Sequence, residues 1–244
     1  MSLIKIKLIT IGHLPADFNL KKLTKWYSSS FKIADNIENY ALRCDSDGEN
    51  WEFSDILIKN QLPEISDNNF LIAIVNVPIE QNWYSRRLGN NQIVFTFYQI
   101  AEILRCSNIP LENVVYRLLY AYTLLYKRAG NKIPDFGEAE SFTHDETRGC
   151  LFDMNGNKID LVYSCHTPII CEECKERLRN EKVSDTLITS VQKEIKNIKK
   201  NLYYILLDSI KKHPVIAILI TSSFTLVLGI IGSLIASFLY EMIK

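Results

Sequence analysis

The stretch FLIAIVNVPI, residues 70–79, decides the fold class of this chain because it is apolar at nearly every position. A short apolar run bounded by polar residues is typical of a strand that is buried on both faces of a sheet. The segment QIVFTF, residues 92–97, follows the turn Gly89-Asn90-Asn91 and is predicted to be its partner strand. Residues 3–11 alternate Leu and Ile with Lys and predict a further strand.

Helical patterns lie between and after these strands. A long helix is predicted at residues 111–129, where it begins after Pro110 and ends at Gly130. Apolar spacing also predicts an amphipathic helix over residues 20–31 and a helical patch over residues 53–62. Because strands and helices alternate, we expect an α/β (α+β) domain, which we place at residues 1–143.

The segment from Val215 to Tyr240 contains no charged residue. As a helix it would be about 39 Å long, which exceeds the hydrocarbon core of a bilayer at about 30 Å. We therefore predict a transmembrane helix at residues 214–240 and a tail-anchored, single-pass protein of the cell membrane. Lysines precede this segment and a single Lys244 follows it, so the domain before it is expected to be cytoplasmic.

Residues 181–213 are predicted to form one long amphipathic helix that leads to the span, since apolar residues recur every three or four positions. Lysines in this region are predicted to contact anionic lipid headgroups, namely Lys196, Lys199, Lys200, Lys211 and Lys212. In the span, small residues allow close packing of membrane helices, and hence oligomerisation, through Gly229, Gly232, Ser233 and Ala236.

Three of the six cysteines lie in CHTPIICEEC, residues 165–174. Cys171 and Cys174 have the C-x2-C spacing with which a tight turn points two thiolates at one zinc ion. Cys150 and His144 are predicted to complete a structural zinc site, in a module that we place at residues 144–180. Cys165 and His166 are the alternative ligands if His144 points away.

The remaining cysteine chemistry and the turn signal in this region indicate further features. A redox centre is disfavoured because the two glutamates between Cys171 and Cys174 would raise the thiol pKa values. The segment LFDMNGNKIDLVY, residues 151–163, carries Asn155-Gly156 between two alternating runs and predicts a hairpin. Cys44 and Cys106 lack partners at a metal-ligand spacing and are predicted to be ordinary core residues.

Composition and motifs exclude several classes of function. The chain has 28 basic and 28 acidic residues, so direct binding to nucleic acid has no support from charge. It contains no G-x-x-x-x-G-K-[ST] or G-x-G-x-x-G motif for nucleotide phosphates.

The order of the elements resembles the archaemetzincin zinc peptidases over about residues 1–178. The resemblance is carried by FLIAIVNVPI, QIVFTF, the helix at 111–129, Cys150-Leu151-Phe152 and CEECKERL. In that family the long helix bears H-E-x-x-H and a further His that bind catalytic zinc, while cysteines bind a second, structural zinc. This chain has no H-E-x-x-H, and the motif's spacing falls on Tyr116, Arg117, Tyr120 and Tyr126. The resemblance therefore implies a pseudo-peptidase that keeps only the structural zinc.

These features predict a non-enzymatic membrane effector that is recruited by a cytoplasmic protein and acts by perturbing the membrane. Such an arrangement is similar to membrane effectors of prokaryotic defence systems, in particular to the transmembrane partner encoded beside short prokaryotic Argonautes. That resemblance implies an Argonaute-type sensor complex as the partner. The alternatives are a membrane-tethered zinc metallopeptidase and an inert anchor for a cytoplasmic complex.

Overall fold

The structure is a computed structural model that describes residues 3–65, 69–135, 137–138 and 142–243. The chain divides into two compact units, the first ending at Lys199 and the second beginning at Lys200.

Six strands within the described residues form one sheet in the first unit. They are β1 (Ile4–Ile11), β2 (Phe31–Ile33), β3 (Glu38–Tyr40), β4 (Phe70–Val75), β5 (Ser85–Gly89) and β6 (Gln92–Thr96). Their order is β2-β1-β4-β6-β5, and β3 also pairs with β1.

The central strand β4 is buried along its whole length and pairs in parallel with β1 and β6. The strands predicted at residues 3–11, 70–79 and 92–97 are therefore confirmed. The Gly89-Asn90-Asn91 turn joins β5 to β6, which are antiparallel, whereas β4 and β6 are parallel and need a longer connection.

The helices confirm the prediction of an α/β class. They are α1 (Leu20–Thr24), α2 (Asp55–Lys59), α3 (Ile100–Cys106), α4 (Glu112–Arg128), α5 (Leu161–Ser164), α6 (Glu172–Asn180), α7 (Asp185–Glu194), α8 (Leu202–Lys212) and α9 (Pro214–Ile243). The long helix at 111–129 is confirmed as α4, and α2 lies within the predicted helical patch. The helix predicted over 20–31 is wrong beyond Thr24, because Phe31 pairs with Ile4 and begins β2.

Two apolar clusters cover the sheet. The larger one contains α4 together with Cys150, Cys165 and Cys174, so the cysteine segment packs into the main core. The smaller one joins Phe53 and Ile58 to alternate residues of β4 and to Val94 of β6. A strand buried between two such clusters is apolar at every position, which explains the continuous run in β4.

The single long helix predicted over residues 181–213 is wrong. Helix α7 ends at Glu194, a 3-10 turn covers Ile195–Asn197, and the backbone is extended at Ile198. The Thr167 amide donates to the Ile198 carbonyl at 2.6 Å, and the Asn113 side-chain amide donates to the Lys199 carbonyl at 3.2 Å. These bonds use the carbonyls of Ile198 and Lys199 and stabilise a non-helical backbone between α7 and α8. The apolar positions from Val183 to Ile198 are nevertheless buried in the main core of the first unit.

Glu194 fastens the end of α7 to distant parts of the first unit. Its carboxylate accepts a hydrogen bond from the Ser28 hydroxyl at 2.7 Å and from the Ser29 amide at 2.9 Å. It also accepts one from the Tyr120 hydroxyl of α4 at 2.8 Å. Charge-assisted bonds of this kind are among the stronger hydrogen bonds in proteins, so α7 has a specific anchor as well as an apolar face.

The second unit consists of α8 and α9, separated at His213, where φ is −133° and ψ is 62°. Among the described residues, α9 is the helix long and apolar enough to cross a membrane, with a mean hydropathy of 2.4 and no part of that window buried. It contains the predicted span at 214–240 and extends to Ile243.

Candidate metal centre

Two short backbone bridges bring the predicted zinc ligands together. His144 pairs with Asp153, and its amide donates to the Phe152 carbonyl at 3.0 Å. Cys150 pairs with Ile169, which places it beside the start of α6. Cys171 is the N-cap of α6 and Cys174 lies in its first turn. These two bridges bring ligands that are distant in sequence close together in space.

The candidate ligand atoms of His144, Cys150, Cys171 and Cys174 all lie within 4.8 Å of one another. A tetrahedral zinc with Zn–S bonds of about 2.3 Å has edges of about 3.8 Å between its ligands, so the spacing suits a single ion. The His144 Nε2 atom is 3.6 Å from the Cys171 sulfur. One histidine and three cysteines form a donor set that zinc prefers, and these residues can hold it as a structural cofactor.

Neighbouring groups orient these ligands. The His144 Nδ1 atom lies 2.9 Å from the Glu146 carbonyl, and an Nδ1–H donated there leaves the Nε2 lone pair for a metal. The amides of Phe152 and Cys171 donate to the Cys150 sulfur at 3.5 and 3.4 Å. Hydrogen bonds to sulfur stabilise the thiolate, which is the form that binds zinc.

The electrostatics favour ionised sulfur at Cys150. A hydrogen bond from the Cys174 thiol lowers the pKa of Cys150, and the two backbone amides act in the same direction against the effect of burial. The N-terminus of α6 presents its positive end to Cys171 and Cys174. The Arg148 guanidinium lies 3.7 Å from the Cys171 sulfur and adds a positive charge at the rim.

Asp153 is a member of this centre that the sequence did not reveal. It is fully buried, and its Oδ2 atom accepts hydrogen bonds from the amides of Arg148 at 3.1 Å and Cys150 at 2.9 Å. Its Oδ1 atom is 3.5 Å from His144 Nε2. Asp153 thus fixes the loop before Cys150. Its only sequence signal is an acidic residue within an otherwise apolar segment.

The cluster contains His144 and neither of the alternative ligands. Cys165 is fully buried in the apolar core, where burial raises its pKa to about 12, and neither it nor His166 belongs to the cluster around Cys171. The hairpin predicted over residues 151–163 is wrong. Asn157 instead caps a 3-10 turn at Lys158–Asp160 that continues into α5.

The other cysteines differ in burial from the prediction. Cys44 is half-buried, packed against the smaller apolar cluster, and accepts a hydrogen bond from Gln61. Cys106 is exposed at the end of α3, so the expectation that it is a core residue is wrong.

Arg117 occupies the position at which the resemblance would place the glutamate of H-E-x-x-H. Its side chain is 1% exposed. One Nη atom donates to the Asp153 carbonyl at 3.0 Å and the other to the Tyr84 hydroxyl at 3.4 Å. A guanidinium has no lone pair to accept a proton, so this group ties α4 to the metal-centre loop and cannot serve as a general base.

The tyrosines at the neighbouring positions are also engaged inside the first unit. The Tyr116 hydroxyl donates to the Lys22 carbonyl at 3.0 Å, Tyr120 bonds to Glu194, and Tyr126 accepts a hydrogen bond from Asn69 at 3.1 Å. Burial raises the pKa of Tyr116 and of Tyr120, so both phenols stay protonated at neutral pH. This face of α4 therefore packs inside the first unit.

The predicted lipid-contacting lysines fall in both units. Lys196 and Lys199 are exposed at the end of the first unit, and Lys211 and Lys212 are exposed at the end of α8. Lys200 pairs with Asp208 at 2.7 Å. The small residues of α9 are exposed, and nothing lies within 4 Å of a Cβ built at Gly229 or Gly232, so that face is open to another helix.

No family model matches the sequence, and no curated protein matches it. A fold comparison finds the crystal structure of archaemetzincin from Methanopyrus kandleri, with a TM-score of 0.41 and 10% sequence identity, over 73% of this chain and 95% of that chain. This is the family that the order of elements resembles. Because the TM-score is low, no activity is transferred to this chain from that likeness.

Proposed function

We propose that this protein is a non-enzymatic, single-pass membrane effector of a prokaryotic defence system. Its first unit is stabilised by a structural zinc at His144, Cys150, Cys171 and Cys174 and is engaged by a cytoplasmic protein partner. The second unit anchors the protein in the membrane and perturbs it when the partner is engaged. An Argonaute-type sensor complex is the partner that the sequence resemblance implies.

The observation that carries this proposal is the uncovered apolar surface of α9. A helix with a mean hydropathy of 2.4 and none of that window buried exposes far more apolar area than water favours. A bilayer covers such a helix along its whole length. The lysines before α9 favour a cytoplasmic position for the first unit.

The internal hydrogen bonds made by the side chains of α4 support a role without catalysis. Arg117, Tyr116 and Tyr120 make internal hydrogen bonds that fasten α4 to three separate segments of the first unit. Side chains engaged in this way contribute to stability and are not free for a reacting group. The cluster offers four protein ligands, and a zinc held by all four would have the closed coordination that is typical of structural sites.

The test combines native co-purification with metal analysis. The full chain, isolated from the membranes of its host, is expected to retain a cytoplasmic protein complex and one zinc per chain, and to depolarise the membrane when that complex is triggered. Two metals per chain, or hydrolysis of a peptide, would instead favour the metallopeptidase. If an unrelated span replaces α9 without loss of depolarisation, the inert-anchor alternative is favoured.

A further inference from the structure

Helix α8 carries an exposed apolar face. The apolar side chains on it are Leu202, Tyr203, Leu206 and Ile210, which are 70%, 68%, 55% and 52% exposed. Leu202, Leu206 and Ile210 are spaced four residues apart, and Tyr203 lies one turn before Leu206. At 3.6 residues per turn these four side chains fall within about 100° of the helix circumference.

The charged residues of α8 lie on the opposite side, where Tyr204, Ile205 and Leu207 are only half-buried. Asp208, Lys211 and Lys212 all project away from the Leu206 face at this helical period. The one acidic residue of α8, Asp208, pairs with Lys200 at 2.7 Å, which neutralises its charge. The remaining charges on this helix are therefore the two lysines near its C-terminus.

The position of α8 in the chain indicates what covers its apolar face. Only His213 separates the end of α8 from the start of α9. The backbone of His213 is not helical, so α8 and α9 are separate helices and not one continuous rod. An amphipathic helix that ends one residue before a membrane-spanning helix has its last turn at the level of the lipid headgroups.

We propose that α8 lies in the plane of the membrane surface, with the Leu202, Tyr203, Leu206 and Ile210 face buried in the boundary between headgroups and acyl chains. Helices of this type insert their apolar side chains about 5–10 Å into that boundary and keep lysines at the phosphates. The face is thus a lipid-binding surface distinct from the lysine contacts. This inference rests on the proposed insertion of α9.

The experiment uses the full chain in vesicles of phosphatidylcholine and phosphatidylglycerol whose acyl chains are brominated close to the headgroup. Leu206→Trp places an indole on the apolar face, and Lys211→Trp places one on the polar face of the same helix. The native Trp26, Trp51 and Trp83 lie in the first unit and provide a common background. We expect the added fluorescence at position 206 to be quenched about twofold more strongly than that at position 211. Ile210→Trp, one turn after position 206, and Lys212→Trp, next to position 211, repeat the comparison.

Equal quenching at positions 206 and 211 would overturn the proposal. So would an indole at 206 that is shielded from water but not quenched by bromine, since a second copy of the chain or a protein partner would then cover the face. Alkaline extraction of the same vesicles separates the two proposals. If the chain is extracted, α9 is not inserted and the proposed function fails as well; if the chain stays and position 206 is not quenched, only the role of α8 is refuted.

Discussion

The carboxylate of Glu194 lies 2.8 Å from the hydroxyl of Tyr120, so the end of α7 is bonded directly to α4. Burial raises the pKa of Glu194, but the bonds from Ser29, Ser28 and Tyr120 outweigh it and hold that pKa below its ordinary value. Ionised Glu194 is therefore favoured by folding.

Glu194→Gln is expected to lower the free energy of unfolding of the first unit by about 1–2 kcal/mol at neutral pH, because charged acceptors make the stronger bonds. A carboxyl whose folded pKa is depressed stabilises the fold above its unfolded pKa of about 4.5, and this stabilisation is lost as the pH falls through the folded pKa. Urea denaturation of wild type and variant should therefore converge in acid. Lys193→Gln, at an exposed neighbour, is the control. If the difference in free energy of unfolding between wild type and Glu194→Gln persists unchanged in acid, the ionised carboxylate of Glu194 is not its source.

Cys171→Ser is expected to abolish zinc binding and to open the segment around α6 to proteolysis, since a structural zinc contributes folding free energy directly. Metal content by atomic spectroscopy and limited proteolysis measure the two effects. Cys106→Ser, at an exposed position, should change neither. Full zinc content in the Cys171 variant would refute the site.

Gly149→Ala should weaken the metal centre without removing a ligand. Gly149 has a φ of +72°, and an added Cβ would lie 3.0 Å from the Tyr163 carbonyl oxygen. Strain of this kind costs about 1–3 kcal/mol, so zinc affinity in competition with a chelator should fall by about 5- to 150-fold. Gly156→Ala, where nothing lies within 4 Å of the new Cβ, is the matched control and should retain its affinity.

Replacing Lys196, Lys199, Lys211 and Lys212 by Gln should reduce binding of a chain that ends at Lys212 to anionic vesicles. Each lysine near such a surface contributes about 1 kcal/mol, and salt screens the attraction. Vesicle flotation at low and high salt measures the change. Equally tight binding to neutral and anionic vesicles would show that charge is not involved.

Gly229→Leu combined with Gly232→Leu should reduce crosslinked oligomers while leaving membrane insertion intact. Small residues let helix backbones approach closely in lipid, where burial of apolar area provides no driving force. Ser223→Leu adds similar bulk on a different side of α9 and serves as the control. Depolarisation at the wild-type rate in the double variant would show that the span does not act through this face.

The sequence predicted correctly those elements whose local pattern agrees with their tertiary environment. The strand β4 and the helix α4 are buried on all sides, so their apolar runs and flanking Pro110 and Gly130 marked them clearly. The C-x2-C pair at Cys171 and Cys174 identified the metal centre because its geometry is set by a single helical turn.

The failures occurred where distant contacts override local pattern. The heptad-like spacing from Val183 to Ile205 continues through residues 198–201, but the bonds from Thr167 and Asn113 interrupt the helix there. Likewise Asn155-Gly156 has the composition of a hairpin turn. The Asn155 side chain instead donates to the Asp153 carbonyl beside the metal centre, and no sequence signal marks that bond.

The hydrogen bond between Ser28 and Glu194 joins residues that are 166 positions apart. A growing chain folds from its N-terminus, so the segment before β2 must wait for nearly the whole first unit to be synthesised before it acquires this partner. Residues of α9 follow soon after Glu194. Closure of the first unit and emergence of the apolar helix from the ribosome thus fall in the same short interval of biosynthesis, and a variant that delays this closure leaves both apolar surfaces exposed to aggregation.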